Sequence, residues 1–399
     1  MKSVRRVILV VESPFSRRDE VRFGIRELRA SGLEVAVWEV SPLCLPRSEQ
    51  QWIEAPDGLL IKRFDSWDDL ALEARTLTTS DFVISICGTY VGQLISHARL
   101  LAILSSSAAG FGTIWAGVPY WSTQIEDPPA RNLTIRTRAA IRSSLSALLA
   151  RGFQNRTIAT TLRWILRRFF RIHPLDAAWV GTSADGIHPL LVSRSTQVTR
   201  VHSLDYDQIL AVYAAEQEPV VRQIAVLIEN LGPFHPDGTT LDLEIDVGPT
   251  EFFPIINSAL DVIESTTGLS IEIAAHPRSS PGLMEAWYPG RRIRYGETAK
   301  AISECELVII YHESTAVGLA VALGKPIVMC TSSRIGSQAP NLVALLGIGI
   351  LDADSEGPWT GNLAINEQQY ADFMARFVKA PGTQQVPFWT VVARAIREL

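Results

Sequence analysis

The stretch Glu306-Leu-Val-Ile-Ile-Tyr-His-Glu-Ser-Thr-Ala-Val-Gly-Leu-Ala-Val-Ala-Leu-Gly-Lys-Pro-Ile-Val-Met329 decides the fold. It reads as a strand, a short loop, a helix, a glycine stop and a second strand. The apolar run Leu307–Ile310 is short and rich in β-branched residues, as a buried parallel strand should be. Ser314 and Thr315 stand where a helix N-cap belongs, Gly324 stands just past the helix end, and Pro326 opens the next strand. A helix N-terminus offers free backbone N–H groups and a positive dipole end, so this loop is a ready phosphate site. Upstream, Ile271-Glu-Ile-Ala-Ala-His-Pro277 is another strand ending in a polar tip. One tip carrying His276 and another carrying Ser314 and Thr315, on one edge of a parallel sheet, point to a pocket for a nucleotide mono- or diphosphate.

Outward from this stretch, strands and helices alternate. Ile224–Glu229, Ser270–Ala275, Glu306–Ile310 and Pro326–Cys330 read as strands, with helices predicted at Thr250–Ser265 and Ser314–Leu323. The N-terminal part repeats the pattern. Arg5–Val11 is a strand, Asp19–Ala30 a helix closed by Gly32, and Leu33–Val40 the next strand, a Rossmann-like βαβ start. Asp81–Cys87, Gly112–Trp115, Ala177–Val180 and Gln197–Val201 add strands, with a helix from Val91 to Leu104. The polar segment Ala215–Val220 reads as a linker. Helices are expected at Glu367–Val378 and Pro387–Leu399. The expected architecture is α/β, with two Rossmann-like domains facing across a cleft. An N-terminal domain spans 1–214, a C-terminal one 221–360, and a helical tail 361–399.

With 399 residues, 47% hydrophobic and 20% charged, the chain is long enough for two cored domains and has the balance of a soluble globular protein. A net charge of -5 gives no support for nucleic acid as a partner. No run of about 18 apolar residues suggests a membrane span. The N-terminus runs straight into a strand without a small-residue cleavage site, so a secretory signal is not expected. Cys44, Cys87, Cys305 and Cys330 are widely spaced and are expected to be packed and reduced, as in a cytoplasmic protein. Arg156–Ile172 differs in character. Ile158, Leu162, Ile165 and Phe169 recur at helical spacing, and Arg163, Arg167 and Arg171 form a second stripe with Arg168 beside it. Such a helix, with Trp164 and Phe170, suits an anionic bilayer surface, and equally a surface helix whose apolar stripe is core.

Four clusters could carry chemistry. Glu12-Ser-Pro-Phe-Ser-Arg-Arg-Asp-Glu-Val-Arg-Phe-Gly24 follows the first strand, where the cleft side of an open α/β sheet lies. Arg18, Asp19 and Arg22 there could hold an acceptor sugar or its phosphates, or form an ordinary helix start. His202-Ser-Leu-Asp-Tyr-Asp207 sits at the domain junction, and His202, Asp205 and Asp207 could catalyse, line the cleft or fix a hinge. Glu229-Asn-Leu-Gly-Pro-Phe-His-Pro-Asp-Gly238 opens the second half as a shaped loop. Its Glu229, His235 and Asp237 are candidates for a general base. The last cluster is His276-Pro277-Arg278 together with His312-Glu313-Ser314-Thr315. Neither a glycine-rich dinucleotide fingerprint nor a Walker lysine loop is present, so no cofactor is expected. Asp205-Tyr-Asp207 has Asp-x-Asp spacing only at the junction, so no metal is expected either.

At these residues the chain resembles glycosyltransferases of the two-Rossmann-domain (GT-B) type from bacterial surface-polysaccharide clusters. His276-Pro277 followed by Ser314-Thr315 is similar to the His-Pro and Ser/Thr motifs of bacterial sialyltransferases, polysialyltransferases and Kdo transferases. The stretches Arg17–Gly24, His202–Asp207 and Pro233–Asp237 also resemble proteins of O-antigen and capsule clusters. The resemblance implies that His276, Ser314 and Thr315 bind the phosphate of a CMP-sugar donor. An acidic residue followed by glycine, for which Asp237-Gly238 is the nearest match, would be the base, with Glu229 second. It further implies an inverting, metal-independent transfer to a surface-polysaccharide or lipid-linked glycan acceptor. The enzyme would work in the cytoplasm, on the inner face of the membrane where Arg156–Ile172 docks. A nucleotide-sugar epimerase of the same fold and a non-catalytic assembly subunit are the rival readings.

Overall fold

The structure is a computed structural model and describes residues 4–44, 57–87, 94–116, 167–181, 193–215, 220–235, 247–279, 282–335, 340–355, 359, 361 and 363–399. Two all-parallel sheets are built in series. The first contains β1 (Arg6–Val11), β2 (Glu34–Glu39), β3 (Leu60–Arg63), β4 (Asp81–Ser85), β5 (Gly110–Trp115), β6 (Ala177–Val180) and β7 (Gln197–Arg200). Its order is β3-β2-β1-β4-β5-β6-β7. The second contains β8 (Ile224–Ile228), β9 (Ser270–Ala274), β10 (Arg292–Arg294), β11 (Leu307–Ile310), β12 (Ile327–Thr331) and β13 (Gly349–Asp352), in the order β10-β9-β8-β11-β12-β13. Both are doubly wound Rossmann orders. Two such units in one chain form the two-domain α/β architecture expected from the sequence.

Strands buried on both faces should be apolar without alternation, and they are. In β8, Ile224, Val226 and Ile228 enter one core layer while Ala225 and Leu227 enter the layer on the opposite face. In β1, Val7, Leu9 and Val11 enter one layer, and Ile8 and Val10 the other. Helices cover both faces. Pro249–Thr267 buries Phe252, Phe253, Ile256, Leu260 and Ile263 against the second sheet, starting with a proline and ending at Gly268. The short strands β3, β10 and β13 carry polar or exposed residues and gave no apolar run to read.

The tail does not stand apart from the two sheets. Glu367–Phe373 continues into a π-helical turn, Met374–Val378, and Tyr370, Phe373, Phe377 and Val378 join the second sheet's core. The chain then crosses back. Phe388, Trp389, Val392 and Ile396 of the last helix, Phe388–Glu398, complete a core layer of the first sheet. The apolar stripe of that helix had no other place to go. The predicted helix over Asp19–Ala30 is two helices, Arg17–Arg22 and Ile25–Ala30, broken at Gly24, whose φ is 56°. A Cβ there would lie 2.0 Å from Cγ of Trp389, so the break is where the indole sits.

The four cysteines are free, with Cys44, Cys305 and Cys330 buried. Burial pushes the Cys44 and Cys330 thiols up to about 12, which keeps them protonated and inert. Among the described residues, no helix is long and apolar enough to cross a membrane.

Candidate functional site

In each sheet the strand order reverses beside the first strand of the unit, and crevices for ligands open at such points, beyond the carboxyl ends of the strands. In the second sheet β8 lies between β9 and β11. The tips carrying His276 and Ser314 are therefore not direct neighbours, and the Glu229–His235 loop stands between them. That loop leaves β8 through two residues with positive φ, Leu231 at 61° and Gly232 at 44°. The ring of Phe252 lies where a Gly232 side chain would be, 2.6 Å from the ideal Cβ.

Glu229 holds this bend. It is 2% exposed. Its Oε2 accepts the backbone N–H of Leu231 at 2.6 Å, and its Oε1 accepts the phenols of Tyr311 at 2.8 Å and Tyr288 at 3.5 Å. Tyr311 in turn accepts the N–H of Asn230 at 2.9 Å. Burial raises the Glu229 carboxyl above its ordinary value, against these hydrogen bonds. A carboxylate spent on two phenols and a backbone amide is an anchor for the loop, not a base open to a substrate hydroxyl. Tyr288 and Tyr311 were missed in the sequence. Tyr311 follows an apolar strand directly, a position from which a phenol can reach the next strand's tip.

The anchored loop sets His235 against His276, with ring centroids 5.4 Å apart. Nδ1 of His276 accepts the N–H of Arg278 at 3.1 Å, so the proton sits on Nε2. Burial, with His235, Arg18, Arg278 and Arg22 adding positive field, presses the imidazole down to about 3. His276 is thus a neutral ring offering one N–H. Pro277 and Arg278 are exposed beside it.

The β11 tip differs in detail from the expectation. The helix is Val317–Ala322, starting three residues after the predicted Ser314, and the position before it is Ala316 without a side-chain cap. Val317 and Gly318 donate to the carbonyls of Ser314 and Thr315 at 3.1 and 3.0 Å. The first turn is therefore tight, and Ser314 Oγ accepts Ala316 N–H at 3.3 Å. Nδ1 of His312 lies 2.8 Å from the Glu313 carbonyl, which orients the ring. His312, Glu313, Ser314 and Thr315 are all half-buried.

From the first sheet comes the loop after β1. Asp19 is buried and occupied. Its Oδ2 accepts both N–H and Oγ–H of Ser16, at 3.0 and 2.7 Å, in a capping box. It serves its own helix and is not free to hold an acceptor. Arg18 and Arg22 remain on that helix, and both act electrostatically on His276 across the gap between the sheets. The indole N–H of Trp389 donates to the Arg22 carbonyl at 2.9 Å and fixes this end of the helix.

The junction residues are structural. His202 is 1% exposed, with Nδ1 at 2.9 Å from the Ser203 carbonyl and Nε2 at 2.8 Å from the Val386 carbonyl. Asp207 accepts the N–H of Phe388 at 2.9 Å. Burial, only partly offset by that bond and by His202, raises the Asp207 carboxyl to about 6. Together they clip the returning chain to the junction. Asp205 precedes the helix Tyr206–Tyr213 without a capping bond, and its field reaches Arg18. Asp237 and residues 156–166 lie outside the described residues. Among the described residues no cluster of three His, Cys, Asp or Glu groups suits a metal ion.

No family model matches the chain, and no curated protein matches it. Among solved structures, the chain is similar to the spinosyn forosaminyltransferase SpnP, with a TM-score of 0.44 and 15% identity over 99% of this chain and 94% of that one. It is similar to MurG of Acinetobacter baumannii, with a TM-score of 0.42 and 13% identity over 99% and 100%. It is also similar to UGT71G1 of Medicago truncatula complexed with UDP-glucose, with a TM-score of 0.45 and 8% identity over 99% and 93%. The fold assignment rests on the two strand orders, and these likenesses add no correspondence between residues.

Proposed function

We propose that the chain is a glycosyltransferase that moves a sugar from a nucleotide-activated donor, a CMP-linked acidic sugar, to a surface-polysaccharide or lipid-linked glycan. One observation carries the reading: a neutral histidine, His276, carries its Nε2–H at the β9 tip, one strand from the order reversal of a Rossmann-type sheet and beside Arg278. A neutral donor in a positive surround stabilises charge that develops on a departing phosphate without forming a fixed ion pair beforehand. Thr315 and the amides of the β11 tip, on the other side of the Glu229–His235 loop, are proposed to share that phosphate. The motif resemblance at His276-Pro277 and Ser314-Thr315 agrees with this and favours CMP.

With Glu229 anchored, the general base of an inverting displacement is proposed at Asp237 or His235 in the same loop. Association with the inner face of an anionic membrane through Arg156–Ile172 belongs to the same proposal. Phe169 is 77% exposed beside exposed Arg168 and Arg171, whereas Ile172 belongs to the core. Each basic residue at such a surface contributes about 1 kcal/mol.

A thermal-shift panel of CMP, CDP, UDP, GDP and dTDP tests the donor reading, because a nucleotide that binds only the native state raises its stability. CMP is expected to give the largest rise. No rise with any of the five would remove the proposal, and a larger rise with UDP or dTDP would replace the donor.

A further inference from the structure

The wall contributed by the first sheet carries two guanidinium groups that form no ion pair among the described residues. Arg18 and Arg22 lie one turn apart on Arg17–Arg22. Among the described residues neither makes an ion pair, and Nε of Arg22 is buried with no hydrogen-bond partner. The nearest acid in sequence, Asp19, is occupied by Ser16. Burial first, and then Arg22 beside it, bring the Arg18 guanidinium down to about 10, while Asp19 and Asp205 only partly compensate. A half-buried cation set against other cations is unfavourable until an anion reaches it.

The geometry is preformed. The Ser16 capping box fixes the start of the helix, and the Trp389 indole fixes its end through the Arg22 carbonyl and by seating on Gly24. Two guanidinium forks one turn apart match the oxygens of a phosphate or carboxylate. Charge counting then separates two ligands. The phosphodiester of a CMP-sugar carries one negative charge, which the reading above gives to His276 and the β11 tip. Arg18 and Arg22, on the opposite wall, are left over.

We propose that Arg18 and Arg22 form a second oxyanion subsite, separate from the donor phosphate position, which takes a phosphate or carboxylate group carried by the acceptor. The assignment of this group to the acceptor rests on the nucleotide-sugar reading above. The subsite itself rests on the two arginines. It restricts the acceptor to an anionic class, a diphosphate-linked glycan or an acidic glycan, and assigns a neutral sugar no role for this wall.

Calorimetric titration of the full chain tests this with three probes: CMP, inorganic pyrophosphate and glucuronate. Protein saturated with CMP is expected to bind pyrophosphate or glucuronate still, and the tighter of the two names the group. Arg18→Gln/Arg22→Gln is expected to weaken that probe by roughly tenfold or more and to leave CMP within about threefold. Arg18→Lys/Arg22→Lys, which keeps the charge, should restore part of the binding and guards against misfolding of the first variant. Competition between CMP and both probes would overturn the proposal, as would equal losses for CMP and probe in the Gln variant. So would failure of both probes to bind the native protein, or binding blind to the arginines. Arginine-dependent probe binding without any CMP binding would leave the subsite standing and bring down the donor reading instead.

Discussion

The loops after β1 and β8 occupy the same place in the two sheets, beside the reversal of strand order. Each begins with a glutamate, Glu12 or Glu229, and each bends at a positive-φ glycine covered by an aromatic ring. Gly24 lies under Trp389 and Gly232 under Phe252. They differ in what they present. The first presents guanidinium groups, Arg18 and Arg22, whose charge is permanent. The second presents an imidazole, His235, set against His276 of the β9 tip, which is held neutral. The difference teaches that the fold fixes only the place of a site. The first tip spends its acid, Asp19, on its own helix and borrows its ring from the far end of the chain. The second spends its acid, Glu229, on two phenols and takes its ring from the helix Pro249–Thr267.

The hardest way to break the comparison is at Gly24. Gly24→Val puts a branched side chain at φ 56°, into the Trp389 ring. It is expected to cost about 4 kcal/mol or more in denaturant unfolding, as overpacking and backbone strain combine. A loss under about 1 kcal/mol would mean that the indole does not need this glycine. The matching test of the second tip is Glu229→Ala, which strands two buried phenols and the Leu231 amide. It should cost about 2–4 kcal/mol, with Glu229→Gln costing less because it keeps an acceptor. Equal costs for the two variants would show that the site needs the charge and not merely a lone pair.

Asp207, which clips the returning chain to the first tip, gives a pH-dependent test. Its folded-state carboxyl is raised from 3.8 to about 6. A raised folded value means that its stabilisation is full below the unfolded value and is lost as pH rises through the folded one. The stability of the native protein relative to Asp207→Asn should therefore fall by about 2–3 kcal/mol between about pH 4 and pH 7.5. A flat difference would remove this acid from the clip's energetics. The smallest expected effect is Ser16→Ala, which takes the capping box from the arginine helix and costs about 1 kcal/mol. Its sharper readout is whether affinity for pyrophosphate falls with it, since a frayed helix spreads Arg18 and Arg22.

The order of strands and helices was legible because parallel strands covered on both faces are written as short apolar runs, as at Leu307–Ile310 and Ile224–Ile228. The edge strands β3 and β13 were not, since one face of each is wet and their residues are polar or exposed. His276 and the junction cluster were visible as polar residues ending apolar strands. What they do was not, because it depends on partners far along the chain. His202 meets Val386, Glu229 meets Tyr288 and Tyr311, and Arg22 meets Trp389. The split at Gly24 was hidden for the same reason: a glycine within a helical pattern gives no sign of the ring that will lie on it. The helix after β11 began later than Ser314, because that serine turns its hydroxyl to Ala316 before the helix starts.

The central claim is that the β9 and β11 tips of the second sheet hold the phosphate of a nucleotide donor. Calorimetric titration of CMP into the native protein, His276→Ala and Ser314→Ala/Thr315→Ala tests it most directly. Each hydrogen bond to a charged phosphate is worth about 1.5–3 kcal/mol, so both variants should lose roughly tenfold or more in affinity while keeping the native unfolding midpoint. CMP affinity unchanged in both folded variants would contradict the account.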